Sequence, residues 1–239
     1  MPAGFPGSVV AIDWSGAKAA STQRATIRAA TAHGTDLPEI VGGRTRDQTI
    51  DAVCAHPGRL LVGLDFSFGF PEWFAREHGC ATIDDVWSLA ERDGDTWLGC
   101  TPPFWRARCL VPSEHRFRRC EERTRARGFP AKSIFQLVGN GQVGAGSVRG
   151  MPLLARLRAE GFAIWPFDAA GERTAFEIYP SAMPAAGRGR GNPRFATQHD
   201  RDAFVSALAM WEHRDELASL PAATDPTVLI EGDLWTPPS

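Results

Sequence analysis

The chain has 239 residues, with 26 lysines and arginines against 28 acidic residues and a formal net charge of −2. Hydrophobic residues make up 43% and charged residues 23%, enough apolar chain for a substantial core, which excludes a disordered, collagen-like or coiled-coil protein. No apolar run approaches the ~20 residues of a bilayer span, and Met1-Pro2-Ala3-Gly4-Phe5 lacks the basic and apolar stretches of a secretory leader. A cytoplasmic protein with no membrane partner is expected.

The five cysteines (54, 80, 100, 109 and 120) include no CxxC pair and form no even set, which predicts free thiols rather than a disulfide framework. The irregular spacing of Cys100, Cys109, His115 and Cys120 disfavours a zinc site.

In chain order, Val9–Ile12 is a short apolar run that predicts a strand buried on both faces. Arg24 to Ala30 alternates like a half-exposed strand, and Glu39–Val41 follows a turn signal at His33-Gly34-Thr35-Asp36. Thr45-Arg46-Asp47-Gln48 has the spacing of a capping box and opens a helix with Ile50, Val53 and Cys54 on one face, stopped by Pro57-Gly58. Leu60–Leu64 is a second buried strand. Residues 72–132 change character: prolines interrupt helical stretches and tryptophans 73, 87, 97 and 105 need burial, which predicts a mainly helical insertion within a single domain spanning 1–239. Beyond it, strands are predicted at Ile134–Val138, Phe162–Trp165 and Ala175–Tyr179. Helices are predicted from Pro152 to Glu160 and from about Gln198 to Leu217, and Gly187–Gly191 reads as a basic loop.

Strand, crossover helix and strand normally lie parallel in one sheet, and both strands here end in aspartate: Ile12-Asp13 and Leu64-Asp65. Parallel neighbours would bring Asp13 and Asp65 out at the carboxyl edge, where open α/β sheets place ligands. On the last helix, Thr197-Gln198-His199-Asp200 has capping-box spacing, which gives Asp200 a structural role. Asp202 lies roughly 200° from Asp200 on a helix of 3.6 residues per turn and shares a face with His199, which leaves it free for chemistry. Glu177 sits inside an apolar strand, where an arginine, hydrogen bonds or a metal must compensate it. Converging carboxylates resist ionisation, a conflict that Mg²⁺ or Mn²⁺ removes with hard oxygen ligands. Two such ions about 4 Å apart can drive phosphodiester displacement. Lys18, one of only two lysines with Lys132, and His199 are candidates for proton transfer or phosphate binding.

Ile12-Asp13-Trp14-Ser15-Gly16-Ala17-Lys18, Gly63-Leu64-Asp65-Phe66-Ser67-Phe68-Gly69-Phe70-Pro71, Lys132–Gly139, Gly144–Gly150 and Phe176-Glu177-Ile178-Tyr179-Pro180 resemble domain-of-unknown-function family 429, described as predicted nucleases of RNase H-like fold. His199-Asp200-Arg201-Asp202-Ala203 is similar to the end-helix acid motif of RuvC-type resolvases in the same superfamily. The resemblance implies an α/β fold of RNase H-like type, with three antiparallel strands continued by two parallel ones and flanked by helices. It implies Asp13, Asp65, Glu177 and Asp202 as ligands of Mg²⁺ or Mn²⁺, and a nuclease acting on nucleic acid. His199 and Lys18 join the catalytic set, and Ser15, Lys132, Arg149, Arg188 and Arg190 are expected to contact substrate.

Three other readings compete. Gly139-Asn140-Gly141-Gln142-Val143-Gly144 matches the GxGxxG of dinucleotide sites, although Gly146, Gly150 and Pro152 break up the turn where its helix should begin. Asp13-Trp14-Ser15-Gly16 has some likeness to the phosphate turn of actin-type phosphotransferases, for whose two domains the chain is short. A non-catalytic binding protein would keep the acids for structure. Arginines at 116–127 and 188–194, with Phe117 and Phe129 nearby, lend support to a nucleic-acid partner. Alternatively, Glu121 and Glu122 pair with the first cluster on a solvated helix.

Overall fold

The computed structural model describes residues 7–106, 109, 111–137, 143–183 and 194–238. Strands β1 (Ser8–Asp13), β2 (Arg28–Ala32), β3 (Glu39–Val41), β4 (Leu60–Leu64), β5 (Ala163–Ile164), β6 (Arg173–Ile178) and β7 (Leu234–Trp235) form one sheet in the order β3-β2-β1-β4-β6-β5, with β7 also on β6. β3, β2 and β1 are antiparallel, whereas β1, β4, β6, β5 and β7 pair in parallel. The expected run of three antiparallel strands continued by parallel ones is therefore present, and extends further than the two parallel strands anticipated.

Alternation along the strands sends successive side chains to opposite faces. Val10, Ile12, Val62, Leu64 and Ala175 enter one apolar cluster with α4 (Ile83–Trp97) and α6 (Val143–Ala159). Val9, Ala11, Leu61, Phe176 and Ile178 enter a second, beneath α7 (Gln198–Glu212). Ala203, Ala207 and Met210 of α7 are fully or almost fully buried there, so the helix lies close to the sheet. At Gly63 on β4 the approach leaves no room for a side chain: a Cβ would collide with Met210 Sδ and stand 2.8 Å from Ile178 Cδ1. Gly63→Ala should cost about 1–3 kcal/mol through overpacking, read as a lower urea midpoint; an unchanged midpoint would mean that α7 is free to shift.

Several local expectations need correction. The stretch expected as a strand from Arg24 to Ala30 is instead the end of helix α1 (Ala20–Thr26) followed by β2. α1 has no side-chain N-cap; Gln23 fixes it by donating to the carbonyls of Ala17 and Lys18 and accepting from the Arg46 amide. Ile134–Leu137 is not a strand but a turn at Ile134 and Phe135 followed by one isolated parallel bridge from Gln136 to Trp105; Ser133 bends it, its carbonyl accepting the Gln136 amide at 3.0 Å and its hydroxyl the Phe135 amide at 3.2 Å. Val138 lies outside the described residues.

α6 begins at Val143 rather than Pro152 and carries Gly144, Gly146, Gly150 and Pro152 inside it. Packing explains this against poor helix propensity. A Cβ on Gly150 would stand 2.6 Å from the Phe66 ring, and one on Gly16 would stand 2.5 Å from the Gly146 nitrogen, so the β1–α1 loop rides directly on the helix backbone. The last predicted helix breaks at His213 into α7 and α8 (Arg214–Leu217), and α9 (Val228–Glu231) and β7 follow. As expected, α2 (Arg46–Cys54) opens with the Thr45–Gln48 capping box, and residues 72–132 carry α3 (Glu72–Glu77), α4 and α5 (Arg119–Ala126); Gly187–Gly191 lies outside the described residues.

Candidate carboxylate site

Ile12 and Leu64 are register partners on parallel strands, and the Asp65 amide donates to the Ile12 carbonyl at 3.1 Å. Asp13 and Asp65 therefore emerge side by side at the carboxyl edge. Asp13 continues the face of Val9 and Ala11 and meets α7: its Oδ2 lies 2.6 Å from His199 Nδ1. Burial raises the Asp13 carboxyl, with the His199 contact opposing, while that same hydrogen bond raises the imidazole of His199. Asp65 is held well above the usual carboxylate range, first by burial and then by the charges of Asp13, Asp202 and Glu177.

The N-terminal part of α7 delivers the other acid, Asp202. Thr197 and Asp200 form the reciprocal capping box, and Asp200 also pairs with Arg28 at 2.8 Å, so its carboxylate is structural as expected. Asp202 is half-buried; its Oδ1 accepts from Gln198 at 2.7 Å and Arg201 at 3.1 Å. Its charge reaches both Asp13 and Asp65.

Glu177 is the register partner of Leu64 and so projects toward the other face of the sheet from Asp13. There it meets Arg118, which is 1% exposed. Arg118 Nη1 donates to Glu177 Oε2 at 2.9 Å, Nη2 donates to Oε1, and the Phe68 amide donates to Oε2 at 2.8 Å. Arg118 also donates from Nε to Glu121 at 2.9 Å and from Nη1 to the Glu231 carbonyl at 2.9 Å. Of the compensations open to Glu177, an arginine and a backbone amide are what the structure uses. Nothing in the sequence marks Arg118 for this role: it is one of six arginines in the 116–127 run, 59 residues from its partner.

The remaining candidates divide. Lys132 is half-buried and lines a cavity of about 40 Å³ with Asp65, Glu177 and Tyr179. Ser15 is buried, its hydroxyl accepting from the Ala17 amide at 3.3 Å. Arg149 donates to the Gly16 carbonyl, and Arg46, which the sequence does not single out, donates to Ser15 and Ala17 at 2.9 and 2.7 Å; both arginines clasp the β1–α1 loop. Lys18 stands exposed on that loop, its ammonium unpaired among the described residues. Arg188, Arg190 and Gly139–Gln142 lie outside the described residues, while Gly144 belongs to the first turn of α6.

The donor chemistry suits a hard divalent cation at three of the four carboxylates expected as ligands. Among the described residues, Asp13 Oδ1, Asp202 Oδ2 and both Asp65 oxygens accept no hydrogen bond, whereas both Glu177 oxygens are taken by Arg118. No group of three His, Cys, Asp or Glu side chains among the described residues is arranged to hold a metal ion as it stands, the cysteine and histidine set of the insertion included. No helix of the described residues is long and apolar enough to cross a membrane. The chain matches no family model, no curated protein and no solved structure.

Proposed function

We propose that this chain is a metal-dependent phosphodiesterase of RNase H-like fold that hydrolyses nucleic acid. The observation that carries the proposal is the emergence of Asp13 and Asp65 from neighbouring parallel strands in register, with Asp202 and His199 brought to them by one helix. The order β3-β2-β1-β4-β6 supports the fold type. Asp13, Asp65 and Asp202 would hold Mg²⁺ or Mn²⁺, which when bound supplies activation of water and stabilisation of the leaving oxygen. His199, its Nδ1 committed to Asp13, has Nε2 to take or give a proton. Arg118 pairs with Glu177 beside this site, and the charge of Glu177 still adds to the field that raises Asp65. Lys132 stands in the same cavity to meet a phosphate.

Asp13→Asn should remove Mn²⁺-dependent cleavage of a labelled oligonucleotide while leaving the circular dichroism spectrum unchanged. Asp202→Asn should do likewise. Full activity in either variant removes that residue from the mechanism, and loss with Asp200→Asn alone would reverse the roles assigned on α7.

The engagement of Glu177 by Arg118 favours one second reading, a non-catalytic binding protein in which the acids shape a surface. Titration separates the two: a melting temperature unmoved by Mg²⁺ and Mn²⁺ supports the binding protein.

A further inference from the structure

Five of the six arginines of the 116–127 run sort into two groups, while Arg127 donates to Thr236 Oγ1 at 2.7 Å. Arg118, Arg119 and Arg123 are matched by carboxylates: Arg118 by Glu177 and Glu121, Arg119 by Asp225 and Arg123 by Asp233. Arg116 and Arg125 are not. Together with Arg106 and Lys132 they line a cavity of about 430 Å³ in whose wall no acidic residue stands among the described residues. Arg106 donates to the Leu98 carbonyl at 3.0 Å, Arg116 to Val111 at 2.8 Å and Arg125 to Ala131 at 2.9 Å, all neutral acceptors. Among the described residues none of the four cations forms an ion pair, so their charge is uncompensated.

This cavity adjoins its neighbours, sharing lining residues with each. Ala131 and Lys132 also line the small cavity that holds Asp65 and Glu177. On the other side, Trp105 and Arg106 also line an apolar cavity of about 450 Å³ walled by Trp73, Phe104 and prolines 102, 103 and 112. The order along the surface is thus aromatic recess, cationic cavity, carboxylate site. Aromatic faces accept a base of any sequence, and guanidinium and ammonium groups accept the phosphates on either side of it. A base pair locked in a duplex cannot enter such a recess without leaving its stack.

We infer that the cationic cavity and the aromatic recess form a subsite for single-stranded nucleic acid, in which Arg106, Arg116, Arg125 and Lys132 hold backbone phosphate and the recess beside Trp105 receives an unpaired base. This inference rests on the proposed hydrolase reading for the polarity of the track, but binding can be measured without cleavage.

The test is fluorescence anisotropy with a labelled single-stranded oligonucleotide in EDTA, run against an abasic strand and a blunt duplex. Wild type should bind the intact single strand most tightly. Arg106→Ala/Arg125→Ala, both exposed positions, should weaken binding at least tenfold and flatten the dependence of log affinity on log salt by about 1.4, roughly 0.7 for each phosphate that is no longer neutralised. Arg92→Ala, which removes an exposed charge paired with Asp93, should change neither. Trp105→Ala should weaken the intact strand about 5- to 100-fold and leave the abasic strand unaffected. Unchanged affinity and salt slope in the double variant would overturn the phosphate subsite, and equal binding of the abasic strand or the duplex would overturn the base recess. Binding without cleavage in Mn²⁺ leaves the subsite standing and sinks the hydrolase; cleavage with unaltered binding in the variants does the reverse.

Discussion

Replacing Asp65 with asparagine should act in two opposite directions: Mn²⁺-dependent cleavage disappears, and the melting temperature of the metal-free protein rises. Burial and the charges of Asp13, Asp202 and Glu177 hold the Asp65 carboxyl well above its usual range. A group raised in the folded state lends its stability below the unfolded value of about 3.9 and loses it as pH climbs through the folded value. At neutral pH the charge on Asp65 therefore works against the fold, and the amide relieves it. Relief of about 1 kcal/mol corresponds to roughly 2–4 °C in a domain of this size. Scanning fluorimetry in EDTA from about pH 4 to pH 8 should show the gap between variant and wild type widening as pH rises. With Mn²⁺ the wild type should gain stability that Asp65→Asn does not. A variant that melts lower than wild type at neutral pH, or one that keeps the full Mn²⁺ response, contradicts this account. The trade is one expected of a site built for function at the expense of stability.

Arg118→Ala should be the most damaging single substitution. The side chain is fully enclosed and answers two buried carboxylates, Glu177 and Glu121, each already pushed up by burial with Arg118 opposing that rise. Removing the arginine strands both acids and the Glu231 carbonyl, a change that costs about 3–5 kcal/mol. Urea unfolding measures it directly, and Arg118→Ala/Glu177→Gln should recover part of the loss because the amide needs no counter-charge. A loss below about 1 kcal/mol would make the pair no stronger than a surface bridge.

The strands that carry Asp13 and Asp65 are readable from sequence because fully buried parallel strands leave continuous apolar runs, and the capping box at Thr197 fixes the phase of α7. Asp200 and Asp202 can thus be told apart from spacing alone. Glu177 is readable as a problem but not as a solution. Its position demands compensation, yet the partner comes from the insertion, and nothing local distinguishes Arg118 from the arginines around it. The first half of α6 is hidden because glycine and proline lower helix propensity, while the Phe66 ring leaves no room for a side chain at Gly150. Ile134–Leu137 fails in the opposite sense: an apolar run is buried as a turn with a single bridge to Trp105, because one serine supplies the hydrogen bonds that bend it.

Gly63 sits two residues before Asp65 and directly beneath Met210, eleven residues along α7 from His199. The spacing of the helix from the sheet is thus gauged at one end by a single hydrogen atom, while the imidazole that steadies Asp13 hangs at the other end. A side chain added at Gly63 would have to be accommodated by Met210, Ile178 or the helix that carries Met210. A residue with no side chain thereby fixes how near α7 can lie to the strand that leads into Asp65.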